Sequence, residues 1–115
     1  MSLIDNIDKI TKNNKYYRKV LNTTKTQQLV VMNIPYKEEI GIEKHKHTTQ
    51  FIKIEEGKGT AIIENTEYDI SVGDIVMVAP NTLHNIISKS KTGLKLYTIY
   101  SPPEHKPGLK QMKKK

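Results

Sequence analysis

A chain of 115 residues with 36% apolar content, 27% charged residues and a net charge of +7 is sized for one hydrophobic core. It has no cysteine, which excludes disulfides and thiolate chemistry. No apolar run approaches the roughly 20 residues needed to cross a bilayer as a helix, and the opening stretch MSLIDNIDKI carries two aspartates where a signal peptide needs an apolar core. The expectation is a soluble, cytoplasmic protein. Five lysines (Lys106, Lys110, Lys113, Lys114 and Lys115) fall in the last ten residues, so the positive excess is concentrated at one end. No helix face, aromatic platform or recognition motif accompanies them, which argues against a nucleic-acid partner.

In chain order, residues 2–11 carry Leu3, Ile7 and Ile10 at helical spacing with Ser2 placed to cap, predicting a short amphipathic helix. From Tyr16 onward the pattern is β. Candidate strands are 16–21, 27–34, 51–55, 60–64, 68–70, 75–79, 84–88 and 94–100, each short and each bounded by Gly, Asn, Asp or Pro. Regular short strands with turn punctuation predict a sandwich or barrel. Pro102 and Pro103 stop the last strand, and 104–115 have no periodicity. The expected organisation is a helix and arm at 1–15, a β-barrel domain at 16–103 and a flexible, disordered basic tail at 104–115.

Two stretches carry chemistry. The first, GIEKHKHTTQFIKIEEGKG at 41–59, places Glu43, His45, His47 and Gln50 together. In an extended segment Glu43, His45 and His47 share one face. Strand alternation puts Gln50 with Ile52 and Ile54 on a buried face, and Lys53 and Glu55 in water. A buried amide without a partner costs about 1–3 kcal/mol, so Gln50 needs one. Imidazole and carboxylate together suit a divalent cation, whereas a His-x-His alone is equally an exposed basic loop. The second stretch, GDIVMVAPNTLH at 73–84, reads as a turn, a buried strand at 75–78, a second turn at 80–82, and His84 heading a new strand. Tyr97 and Tyr100 read as packing residues, and His105 as an exposed one.

Taken together, the two stretches resemble the two signature motifs of the cupin family. After Gly73 come five residues, then Ala79 where the family has proline, Asn81 where it has glycine, and His84 two residues later; Pro80 is displaced by one. Gly57 matches the close of the first motif, and Gln50 falls where the family has glutamate. Two registers fit the histidine positions. Spacing back from Gln50 selects Glu43 and His45, and the literal His-x-His selects His45 and His47. His45 is common to both.

The resemblance covers about residues 30–101 and, at KLYTIYSPPEH, looks like a subgroup of small sugar-isomerase-like cupins. It implies an all-β double-stranded β-helix, or jelly roll. It also implies a divalent metal (Zn, Fe, Mn or Ni) on His45, His47, Gln50 and His84, with Glu43 as the alternative to His47. The expected function is metal-dependent chemistry of isomerase, dioxygenase or decarboxylase type on a small polar metabolite. The alternative is a non-catalytic small-molecule sensor with a weak or empty metal site. A homodimer is expected in either case.

Overall fold

The structure is a computed structural model and describes residues 2–114. The helix forms one turn later than the periodicity predicts. α1 spans Ile7–Asn13, and its cap is Asn6, whose side-chain oxygen accepts the Lys9 amide at 2.9 Å. An asparagine beside an Asp5 carboxylate that holds its amide outcompetes Ser2 as a cap, so Leu3 and Ile4 stay outside the helix. α1 lies across the strands Gln28–Ile34, Thr49–Glu56 and Leu94–Ser101 of the sandwich, which helps cover the outward-facing Val31.

Among the described residues nine strands follow: β1 (Arg18–Thr23), β2 (Gln28–Ile34), β3 (Thr49–Glu56), β4 (Lys58–Ile63), β5 (Thr66–Ser71), β6 (Ile75–Val78), β7 (His84–Ser88), β8 (Leu94–Ser101) and β9 (Lys110–Gln111). They make a six-stranded sheet in the order β6-β3-β8-β2-β1-β9 and a three-stranded sheet in the order β5-β4-β7, with antiparallel pairing throughout. This is the expected all-β jelly roll. The alternating pattern of each long strand places Val30, Met32, Ile34, Ile52, Ile54, Leu94 and Leu96 between the sheets, all fully buried. Apolar side chains taken from water in this way supply the main driving force, at about 25 cal/mol per Å².

Three expectations need correction. Glu55 is not in water. A bulge between Ile54 and Glu56 breaks the alternation, as an extra residue re-aims the chain, and buried Glu55 accepts from the Lys53 ammonium at 3.2 Å. That hydrogen bond is also the main reason the Lys53 pKa is raised. The strand at 75–78 is not buried throughout. β6 is the edge of its sheet, and its outward residues Ile75 and Met77 are exposed at 57% and 65%. The segment from 104 is not loose up to 111. Lys110 and Gln111 pair with β1. The amide of buried Gln28 grips the backbone of residues 104–105, accepting from the Glu104 and His105 N–H groups and donating to the His105 carbonyl. Lys113 and Lys114 do remain exposed.

Candidate metal centre

The two sequence stretches meet through their main chains before any side chain is considered. Residues 39–45 run antiparallel beside β7. Glu43 and His84 exchange both backbone hydrogen bonds at 2.9 Å, Ile40 N–H donates to the Ile86 carbonyl, and Asn81 N–H donates to the His45 carbonyl at 2.6 Å. Side chains reinforce this. The Gly41 N–H donates to Asn85 Oδ1 at 2.8 Å, the Asn85 amide donates to Glu39, and the Tyr17 hydroxyl donates to the Glu39 carbonyl. Asn81 sits at φ 63°, a left-handed conformation that asparagine tolerates better than most residues. It occupies the position where the family motif has glycine.

Glu43, His45 and His84 each point one donor atom at a common point, and the three atoms lie within 4.8 Å of one another. Glu43 Oε1 is 3.4 Å from His45 Nε2 and 3.9 Å from His84 Nε2, and the two imidazole centroids are 5.2 Å apart. His84 is almost fully buried, His45 nearly so, and the Glu43 side chain is 27% exposed, so the cluster meets solvent on the Glu43 side. His47 is exposed and lies outside this cluster. The structure therefore brings together the register set by spacing and not the one set by the literal His-x-His.

Gln50 reaches the same interior from the other sheet. It is buried on β3, opposite Tyr100 in the β8 register. Its amide nitrogen donates to Thr98 Oγ1 at 3.1 Å and to the Tyr100 hydroxyl at 3.3 Å, which orients the amide and leaves Oε1 unpartnered. Tyr100 packs edge-on against His45, with centroids 5.8 Å apart. Burial, with the Glu43 charge second, holds its phenol far above the usual tyrosine range, so it stays a protonated donor.

The fit of this group to a cation follows from four buried atoms that have no hydrogen-bond partner: Glu43 Oε1, His45 Nε2, Gln50 Oε1 and His84 Nε2. The His84 tautomer is determined by its surroundings. Its Nδ1 lies 2.9 Å from the Thr82 carbonyl oxygen, which can only accept, so Nδ1 carries a proton and the neutral ring presents its lone pair at Nε2. Carboxylate and amide oxygens are likewise acceptors. Buried polar atoms left unsatisfied cost about 1–3 kcal/mol each, and only His45 Nε2, 3.4 Å from Glu43 Oε1, has another member of the group within reach of a proton.

Sequence reading missed three neighbours of the site. Tyr100 was read as packing, yet its hydroxyl orients Gln50. The inward alternation of Leu96, Thr98 and Tyr100 was the available signal. Glu104 reaches His45 Nδ1 at 3.2 Å, with its other oxygen 3.2 Å from Thr48 Oγ1. His105 was expected to be exposed but is half-buried beside Tyr100, with its Nε2 3.3 Å from the hydroxyl.

Comparison with known proteins agrees with this architecture. A family model described as a cupin domain matches residues 30–100. The chain is 41% identical to the uncharacterised protein L612 of Acanthamoeba polyphaga mimivirus over 107 residues, covering 90% of this chain and 67% of that one. It is 36% identical to the uncharacterised protein YrkC of Bacillus subtilis over 106 residues, covering 87% of this chain and 57% of that one. Thus it spans about two thirds of the first and just over half of the second. Among solved structures, BH2720 from Bacillus halodurans superposes with a TM-score of 0.96 at 31% identity, covering 99% of this chain and 91% of that one. With both motif segments clasped at the mouth of one jelly roll, and with this likeness in sequence and structure, the chain belongs to the cupin family.

Proposed function

We propose that Glu43, His45, Gln50 and His84 hold one divalent metal ion and that this cupin is a metal-dependent enzyme of isomerase, dioxygenase or decarboxylase type, acting on a small polar metabolite. The observation that carries the reading is the Glu43–His45–His84 cluster, whose ligand atoms lie within 4.8 Å of one another, with Oε1 of buried Gln50 likewise unpartnered. When bound, such an ion supplies Lewis acidity towards a substrate oxygen. The residues do the rest. Buried His84 and the nearly buried His45 provide neutral nitrogen donors, Glu43 provides the single carboxylate, and Gln50 contributes a neutral amide oxygen held by Thr98 and Tyr100. One carboxylate leaves a divalent ion with surplus positive charge, which favours an anionic or oxygen-rich substrate.

Among the described residues, the one link between the site and a cleft large enough for a small molecule runs through Ile63. A cleft of about 670 Å³ at the β5–β6 seam is lined by Ala61, Ile63, Tyr68, Ile70, Val76 and Met77. Ile63 is the cross-strand partner of His84, and such partners share one face of their sheet. The reading is tested by metal analysis of the purified protein and of apo protein exposed in turn to nickel, iron, manganese and zinc. The expected result is close to one ion per chain for at least one metal; failure of all four to bind removes the proposal.

A non-catalytic sensor is the second reading. It is favoured by Gln50, since an amide coordinates more weakly than the carboxylate it stands in for. Ligands found by thermal shift and then incubated with metal-loaded protein separate the two: turnover supports the enzyme, and tight binding with no product supports the sensor.

A further inference from the structure

The two imidazoles of the site are supported differently. His84 is held by the backbone carbonyl of Thr82, within its own motif. His45 has no comparable main-chain partner at Nδ1. What lies 3.2 Å from that atom is the carboxylate of Glu104, which arrives from the far end of the chain. The approach is built rather than incidental. The Glu104 and His105 amides are both held by Gln28 Oε1, at 3.1 and 2.9 Å, and the His105 carbonyl is held by Gln28 Nε2 at 2.7 Å. Gln28 itself is 1% exposed. Thr48 Oγ1 lies 3.2 Å from both the Pro102 carbonyl oxygen and Glu104 Oε1, and its single proton serves one of them at a time.

We infer that Glu104 is a positioning residue for the metal site: its carboxylate keeps the His45 proton on Nδ1, so that Nε2 faces Glu43 and His84 as a lone pair. This rests on the metal reading above and adds to it a C-terminal arm that completes the donor set. An ionised carboxylate only accepts. Glu104 at 3.2 Å from Nδ1 and Glu43 Oε1 at 3.4 Å from Nε2 compete for the ring proton; the closer contact favours Nδ1, and a cation held by Glu43 leaves Glu104 as the remaining acceptor. Carboxylate partners of this kind orient ligand histidines and raise their basicity, and losing them typically weakens metal binding about 10–100-fold.

The test uses full-length protein labelled with ¹⁵N-histidine. The four histidines give a spectrum with internal references: His84, tied to Thr82, and exposed His47. Long-range proton–nitrogen correlation on metal-free protein should show His45 protonated at Nδ1. In Glu104→Leu that signature should be lost or averaged, and metal affinity by competition titration should fall 10–100-fold. Glu104→Gln, whose amide oxygen can still accept, should keep the tautomer and recover most of the affinity. It also provides a near-isosteric check should the leucine variant fail to fold. An unchanged His45 signature in Glu104→Leu overturns the inference, whether or not affinity falls, because a fall alone would mean that the arm is only structural. Wild-type protein that binds no metal yet shows the Glu104-dependent tautomer defeats the metal reading and leaves the positioning role standing.

Discussion

His84 Nδ1 lies 2.9 Å from the carbonyl oxygen of Thr82, so in the neutral ring the other, buried nitrogen is the acceptor. This makes His84 the donor whose loss is hardest to compensate. His84→Ala should lower metal affinity by at least 100-fold and abolish any metal-dependent turnover. Metal content after dialysis and activity of the loaded variant check this, and unchanged turnover would exclude His84 from the chemistry.

Glu43 and His47 make a paired comparison. Glu43→Gln removes the one carboxylate in the group and should weaken binding by 10-fold or more. His47→Ala touches an exposed ring outside the cluster and should change affinity less than 2-fold. Competition titration of the two variants side by side decides between the registers, and the reverse ranking would restore the literal His-x-His.

Gln50 and His84 ride on different sheets, so an ion gripping both ties the sandwich across its core. Binding to the folded state alone stabilises by about 2.7 kcal/mol at a free concentration 100 times Kd. For a domain of this size that is roughly 10 °C in Tm. Chelation should lower Tm by that order and re-addition of metal should restore it. A Tm indifferent to both would contradict a bridging ion.

Burial, with the Arg18 guanidinium second, pushes the His105 imidazole down to about 4. The unfolded chain binds that proton near 6.5. Between these values the unfolded state holds more protons, so stability rises with pH. The contribution is complete above about 6.5 and is lost progressively as pH falls towards 4. Urea midpoints of wild type should therefore drop more between pH 7 and 4.5 than those of His105→Gln. Parallel curves would show that the ring is not held neutral in the fold.

A Cβ built on Gly59 meets the Ile87 carbonyl oxygen at 2.3 Å. That contact lies in the β4–β7 pairing, a few residues from His84. Backbone cannot yield as a side-chain tip can, so Gly59→Ala should destabilise by about 1–3 kcal/mol, measured by urea unfolding. A neutral result would mean that the two strands separate more easily than their register implies.

What the sequence disclosed divides along physical lines. Strand alternation located Gln50 on the inner face because β3 is regular there. The same rule failed five residues on, at Glu55, where a bulge leaves no mark in residue type. Ile75 and Met77 read as buried because hydrophobicity does not say whether a strand lies at a sheet edge. Spacing pointed to Glu43, which lies in the cluster, while residue chemistry alone pointed to His47, which lies outside it. The difference lies in how the 39–45 segment pairs with β7, a long-range fact. Glu104 and His105 were illegible because their order comes from Gln28, far away in sequence, rather than from any local periodicity.

The clasp of peptide hydrogen bonds joining residues 43–45 to 81–84 bears on how such proteins diverge. Since main chain sets the separation of these positions, deleting a ligating side chain leaves its socket standing. Side chains at 43 and 50 can then be exchanged one at a time, amide for carboxylate at 50 or imidazole for carboxylate at 43, without breaking the peptide hydrogen bonds that space them. A scaffold of this kind lets the chemistry of the pocket change without first losing its shape.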